Sequence, residues 1–228
     1  MPAKNVIKIY IKDSYYHIYN RGVEKRKVFK DQQDYKVFLK YLKQSLNTPP
    51  DPKSIKQTFT LQGETFKGVP RQVKNFHKEI ILLAYCLMPN HFHLLIKQNS
   101  SKSIELFMRS ISTRYSMYFN KKYQRVGSLF QWPYKAVHIK DEVYLLHLSR
   151  YIHLNPIEFT NDLTRAFSSY SEYLNLRKTK WVKPEVILSS FNQAKLPFFK
   201  KTNRYQDFVE KYKADSVQIL GDLVLDKL

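Results

Sequence analysis

The sequence predicts an α+β fold in which helices pack on an antiparallel sheet, close to the ferredoxin-like plan. The predicted elements follow the order strand, helix, hairpin, helix, strand, helix. The strongest strand signal is a hairpin near the middle of the chain, and the predicted helices each carry an apolar stripe. This order is typical of a sheet whose strands alternate with the helices that cover it.

The first strand, the first helix and the hairpin are predicted from local signals. Residues 15–20 (YYHIYN) are aromatic and β-rich, and Arg21-Gly22 ends the strand. Asp31 is a suitable N-cap for a helix that runs to about Ser45. Residues 79–88 and 91–97 are two β-rich runs separated by a Pro-Asn turn, so they predict a hairpin.

The second half of the order is a long helix, a strand and a last helix. Residues 101–124 predict a helix whose apolar stripe includes Tyr115 and Tyr118, which we therefore expect in the core. Residues 128–139 predict a strand. The last helix begins at Asp141, a favourable place for an acidic group, and ends before Pro156.

Two segments lie outside this order. Residues 48–75 contain several prolines and two glycines, with a small hairpin predicted at 58–66, and we interpret them as an insertion or flexible arm. Residues 161–228 are polar and basic with short helical stretches, notably 204–213. We therefore predict one domain at 1–160 and a helical, basic C-terminal extension at 161–228.

Composition indicates the kind of partner. The 228 residues are 43% hydrophobic, which is enough to bury a core and excludes global disorder. Lysine and arginine total 39 against 19 acidic residues, a net charge of +20. An excess of this size on a small protein favours a polyanionic partner, usually nucleic acid.

The chain shows no sign of secretion or of a membrane anchor. Cys86 is the only cysteine, so neither a disulfide nor a cysteine zinc site can form within one chain. The N-terminus lacks an apolar signal region, and no run approaches about 18 apolar residues. We therefore expect a cytoplasmic protein without membrane contact.

A pair of histidines is the first candidate site. Alternate residues of a strand face the same side, so His91 and His93 point together while Phe92 points into the core. Two imidazoles on one strand face can ligate one metal ion. From the spacing alone, a His-x-His pair is more often just two surface histidines.

Tyr151 and Asn155 form the second candidate. Four residues apart on the last helix, they share one face. A phenol can act as a nucleophile, but its pKa near 10 means that it needs activation. Asn155 offers a neutral oxygen ligand. The chain contains 17 tyrosines, so spacing alone does not single out Tyr151.

Basic residues form the third candidate. Residues 20–27 are a polar, basic loop after the first strand, and the helix at 101–124 is basic along its length and at its end. Basic side chains neutralise phosphates, although an ordinary solvated helix face has the same composition. The helix residues that we predict to contact DNA are Arg109, Arg114, Lys121, Lys122 and Arg125.

These motifs together resemble a known family. Residues 87–96 (LMPNHFHLLI) are similar to the His-hydrophobic-His signature of the HUH single-tyrosine transposases (IS200-like), and more specifically to that of the REP-associated tyrosine transposase branch. Residues 150–156 (RYIHLNP) are similar to the nucleophile helix of that branch, and residues 17–22 (HIYNRG) to the family's opening strand. Residues 168–170 and 204–209 are similar to C-terminal stretches of the REP-associated branch. Residues 157–160 (IEFT) depart from the basic, Gly-containing stretch that is common in relatives.

The resemblance implies a role for each motif. Tyr151 would be the nucleophile that forms a 5′-phosphotyrosine, and His91, His93 and Asn155 would hold Mg²⁺ or Mn²⁺. Asn20, Arg21 and Gly22 would lie in the loop that recognises DNA at the foot of a hairpin. The implied activity is a DNA endonuclease and strand transferase acting on single-stranded or hairpin DNA, as a monomer or a homodimer.

Two alternatives stay open at this point. The charge alone is compatible with a nucleic-acid-binding protein without catalysis, in which the histidines and Tyr151 are incidental. A zinc-dependent hydrolase ranks last, because no acidic residue accompanies the histidine pair as in His-Glu-x-x-His.

Overall fold

A four-stranded antiparallel sheet lies at the centre of the protein, as seen in a computed structural model that describes residues 10–131, 133–193 and 204–211. The strands in this part of the chain are β1 Ser14–Arg21, β2 Gln57–Leu61, β3 Glu64–Gly68, β4 Ile80–Met88, β5 His91–Gln98 and β6 Lys135–Ile139. The large sheet has the order β4-β5-β1-β6, and every neighbouring pair is antiparallel.

Helices cover both faces of the sheet. Within the described residues they are α1 Gln32–Leu46, α2 Ser103–Lys122, α3 Glu142–Leu154, α4 Tyr170–Tyr173, α5 Glu185–Gln193 and α6 Tyr205–Glu210. A helix separates β1 from β4 and another separates β5 from β6, which is the ferredoxin-like arrangement. The predicted fold class is confirmed.

The two faces bury separate apolar clusters. On one face, Phe92 and Leu94 of β5 pack with Phe38 of α1 and Tyr115 of α2. On the other face, Leu95 of β5 belongs to a cluster with residues of α3, α5 and α6. The alternation along β5 therefore directs Phe92 into the first cluster, as predicted, and leaves the histidines on the face that α3 covers.

Capping residues mark the starts of α1 and α3, as the sequence predicted. Asp31 accepts a hydrogen bond from the Asp34 amide and completes a capping box at the start of α1. Asp141 accepts from the amides of Val143 and Tyr144 at the start of α3. The α-helix ends at Leu154, and a 3₁₀ turn, Asn155–Glu158, follows.

The predicted arm is a two-stranded hairpin formed by β2 and β3. Phe59 and Phe66 stack across it with ring centroids 5.6 Å apart. Neither strand contributes a residue to the two apolar clusters, so the arm stands outside the core.

The predicted strand at 128–139 is wrong in its first half. Only Lys135–Ile139 pairs with β1, and Phe130 makes a single bridge with Gly22. Leu129, Phe130 and Tyr134 are buried all the same, so a loop reproduces the apolar pattern of a strand. Pro133 has no N–H to donate to a ladder, which favours irregular structure here.

The C-terminal part completes the second cluster. Tyr170 of α4, Ile187 of α5 and Phe208 of α6 are buried in it beside residues of α3. The helix predicted at 204–213 is α6, and residues 212–213 lie outside the described residues. Across the described ranges, no helix is both long and apolar enough to cross a bilayer.

Candidate active site

The histidine pair lies on a strand that is paired on both sides. His91 lies opposite Met88 of β4 and Arg21 of β1, and His93 lies opposite Cys86 and Tyr19. Their ring centroids are 4.9 Å apart, and both side chains are buried. Two ladders hold the backbone of β5, so the relative position of the two imidazoles is set by the sheet.

Helix α3 brings Tyr151 and Asn155 to the same place. The Tyr151 ring meets the His93 ring edge to face, with centroids 5.5 Å apart. The Oδ1 atom of Asn155 lies 3.2 Å from Nε2 of His91. One chain therefore brings together all four residues that the sequence singled out.

The hydrogen bonds of Asn90 indicate which nitrogen of His91 carries the proton. Asn90 donates from Nδ2 to the Lys25 carbonyl, so its Oδ1 faces Nδ1 of His91 at 2.7 Å. An amide oxygen only accepts, which places a proton on His91 Nδ1. The Nε2 atom of a neutral His91 then presents a lone pair toward another lone pair on Asn155 Oδ1. A proton or a cation is needed between these two atoms to make the contact favourable.

His93 provides the second imidazole nitrogen that can bind a metal ion. Its Nδ1 lies 2.9 Å from Nε2 of His17, whereas its Nε2 is buried and has no hydrogen-bond partner. Burial, and then the neighbouring His91, His17 and Arg21, hold the pKa of His93 well below its usual value. Neutral imidazole is the form that binds metals. The two imidazoles and the Asn155 oxygen therefore fit a divalent cation.

The C-terminal segment holds α3 in this orientation. His153 bonds to Tyr205 through Nδ1 (2.9 Å) and to Ser169 through Nε2 (2.8 Å). Arg150 donates from Nε to the Phe208 carbonyl at 2.8 Å. Because these anchors flank Tyr151 along the helix, they set the rotation that turns it toward the sheet. Burial lowers the pKa of His153 to about 3, so this linkage stays neutral.

The predicted DNA loop lies beside the four residues. Arg21 pairs with His91 across the ladder, and the Gly22 amide donates to the Asn90 carbonyl at 2.8 Å. A Cβ atom on Gly22 would lie 2.3 Å from the Arg26 carbonyl oxygen, so only glycine fits. Asn20 is buried, and its Oδ1 accepts from the Arg21 amide.

The predicted basic residues of the long helix lie away from the two histidines. The reason is that α2 packs on the face of the sheet opposite to the one that α3 covers. Arg109 is exposed and pairs with Glu105, and Lys121 is exposed. Arg114 stacks on Tyr41, with its guanidinium 4.1 Å from the ring centroid. Arg125 donates to Asn120 beyond the end of α2. A contact of these residues with DNA stays a prediction.

Lys122 has a structural contact that its sequence position did not indicate. It donates to the buried carboxylate of Asp34 at 2.8 Å and to Asp31 at 2.7 Å. Burial alone would raise the pKa of Asp34, but hydrogen bonds from Lys122, the Lys30 amide and Tyr123 outweigh it and lower that pKa.

We expect Lys122→Ala to destabilise the protein by about 2 kcal/mol, because it leaves a buried carboxylate without its cation. Urea denaturation measures the change. Lys121→Ala, on the exposed neighbour, removes the same charge and should change the free energy of unfolding by less than about 0.5 kcal/mol. Equal stability of the two variants would contradict a structural role for Lys122.

A ferredoxin-like sheet with a His-x-His pair beneath a helical tyrosine is the arrangement expected of a single-tyrosine transposase. Comparison with known families agrees: residues 54–155 match the family model described as Transposase IS200 like. The predicted resemblance to the IS200-like transposases is therefore confirmed, over a range that spans less than half of the chain. The matched range contains His91, His93, Tyr151 and Asn155.

The fold has a solved counterpart. The structure of a REP-associated tyrosine transposase bound to a REP hairpin matches with a TM-score of 0.50 and 12% sequence identity, covering 79% of this chain and 97% of that chain. At this identity the likeness shows the fold. Comparison with curated proteins gives no match.

Two site residues were missed by the sequence analysis. His17 was noted only as part of the opening-strand motif, and its contact with His93 depends on the pairing of β1 with β5. His153 lies two residues after Tyr151, and its partners come from distant parts of the chain. The available signal for His17 was its place in the predicted first strand, two residues before Tyr19 and therefore on the same face.

Proposed function

We propose that this protein is a metal-dependent DNA endonuclease and strand transferase that acts through a 5′-phosphotyrosine on Tyr151. The observation that carries the proposal is the convergence, within one chain, of Tyr151 on His93 and of Asn155 on His91. The match to the IS200-like transposase family supports DNA as the substrate.

The metal site would consist of His91 Nε2, His93 Nε2 and Asn155 Oδ1. The buried, unpartnered Nε2 of His93 and the facing lone pairs of His91 and Asn155 support this donor set. The other nitrogen of each imidazole already has a hydrogen-bond partner, as metal-binding histidines require. A bound Mg²⁺ or Mn²⁺ would polarise the scissile phosphate and stabilise the charge that develops on it.

The reaction of the chain's own residues is a transesterification. Tyr151 gives its proton to a water molecule, its oxygen attacks phosphorus, and the bond between phosphorus and the 3′ oxygen breaks. That oxygen takes a proton from water and leaves as a 3′-hydroxyl, while the 5′ end stays on Tyr151. A 3′-hydroxyl of a second strand then reverses the step and releases Tyr151. The phosphodiester energy is conserved, so strand transfer needs no nucleotide triphosphate.

The substrate is proposed to be single-stranded DNA that includes a hairpin. The solved counterpart is bound to a REP hairpin, and the net charge of +20 favours a polyanion. Arg21 lies opposite His91 and supplies positive charge beside the reacting phosphate. Since Tyr151 and the histidines meet within one chain, we propose that cleavage occurs in cis.

End-labelled hairpin DNA tests this function. With Mg²⁺ or Mn²⁺, a 3′-end label should become covalently attached to the protein, whereas a 5′-end label should leave on a fragment with a free 3′-hydroxyl. Binding without either product would instead favour a nucleic-acid-binding protein without catalysis.

A further inference from the structure

His17 makes the contact that orients His93. Its Nε2 lies 2.9 Å from His93 Nδ1, and the two rings stack with centroids 5.1 Å apart at 18°. Both side chains have no exposed surface. In the ladder, Tyr19 is directly opposite His93 and His17 is opposite Leu95, so His17 is the diagonal neighbour of His93 on the same sheet face.

This contact decides which nitrogen of His93 carries the proton. The Nε2 atom of His93 is buried without a hydrogen-bond partner. A proton there would leave an unsatisfied buried N–H, which is unfavourable. A proton on Nδ1 can instead be donated to His17 Nε2. The second arrangement leaves the Nε2 lone pair of His93 directed toward the candidate metal site.

We propose that His17 is a positioning residue, which accepts the Nδ1 proton of His93 and thereby presents the Nε2 lone pair of His93 to the divalent cation. The inference rests on the proposed function, because it assumes the metal site formed with His91 and Asn155. His17 plays for His93 the part that Asn90 plays for His91, with the difference that its partner is 76 residues away in sequence.

His17 is not itself a third imidazole ligand. Its Nε2 is engaged by Nδ1 of His93. Within the described part of the chain, no three histidine, cysteine or acidic side chains are arranged to share one ion. The role of His17 is therefore exerted through His93.

Binding of Mn²⁺ to the DNA-free protein tests the proposal, with the free ion followed by its EPR signal. His17→Leu keeps apolar bulk but removes the acceptor, and it should weaken binding about 10–100-fold. His17→Gln places an amide oxygen near the position of Nε2 and should stay close to wild type. His138→Leu, a strand histidine that stacks on Tyr16, is the matched control and should leave the affinity unchanged.

A second measurement covers the case in which His17→Leu does not fold. Two-bond ¹H–¹⁵N correlations of metal-free, ¹⁵N-histidine-labelled wild-type protein report the tautomer of His93. We expect the Nδ1–H form, and the Nε2–H form would overturn the inference.

The outcomes separate this inference from the function on which it rests. Equal Mn²⁺ affinity of wild type and a folded His17→Leu overturns the positioning role and leaves the metal site standing. No Mn²⁺ binding by wild-type protein overturns both. Loss of affinity in His17→Leu with recovery in His17→Gln, at equal melting temperatures, supports the positioning role over a merely structural one.

Discussion

Tyr151→Phe is expected to abolish the covalent adduct and to reduce strand cleavage by at least about 10³-fold, because it removes the oxygen that we propose as the nucleophile. The ring packs in the cluster beneath α3, and phenylalanine preserves that packing. DNA affinity should therefore stay close to wild type. A gel assay of cleavage and adduct formation, run beside a binding titration, separates the two effects.

Tyr144→Phe is the matched control, since Tyr144 lies on the same helix and is exposed. It should cleave like wild type. An adduct that persists in Tyr151→Phe would assign the nucleophile to another residue. Loss of DNA binding together with cleavage would show that the substitution disturbs the fold rather than the chemistry.

Asn155→Ala is expected to weaken the binding of the metal ion. It removes one of the three protein ligands that we propose for the metal ion, so we expect the metal concentration for half-maximal cleavage to rise about 10–100-fold. Activity should return in part at high Mn²⁺ concentration. A metal titration of the cleavage rate, with DNA held saturating, measures the shift.

Two further variants sharpen that result. Asn155→Asp supplies a carboxylate oxygen and should retain metal-dependent cleavage. Asn161→Ala alters an exposed asparagine six residues further on and should behave as wild type. An unchanged metal requirement in Asn155→Ala would remove Asn155 from the proposed ligand set.

Local signals were sufficient for most of the fold. The strand that contains His17, the β4–β5 hairpin and the ends of α1 and α3 follow from residue type, turn chemistry and caps. The loop at 128–134 could not be distinguished from a strand, because its apolar residues are buried by tertiary contacts. Tyr134, for example, bonds to Tyr10 at 2.6 Å, a partner more than a hundred residues away.

In the candidate site, too, local signals predicted some features and tertiary contacts determined the others. Periodicity placed His91 with His93, because both lie in one strand, and Tyr151 with Asn155, because Asn155 is the C-cap one turn after Tyr151 in α3. The meeting of the two pairs depends on α3 packing over β5, and the contact of His17 with His93 depends on the register of β1. Neither is a local property. The resemblance to a known family supplied the first link, but the position of His17 emerged only from the register.

Mapping the covalent adduct shows directly which residue of the protein attacks the DNA. Wild-type protein is incubated with hairpin DNA and Mg²⁺, the adduct is isolated, and nuclease and trypsin reduce it to a peptide with a nucleotide remnant. We predict the remnant on peptide 151–165, in which Tyr151 is the only tyrosine. A remnant on any other peptide, or efficient metal-dependent cleavage without an adduct, would contradict it.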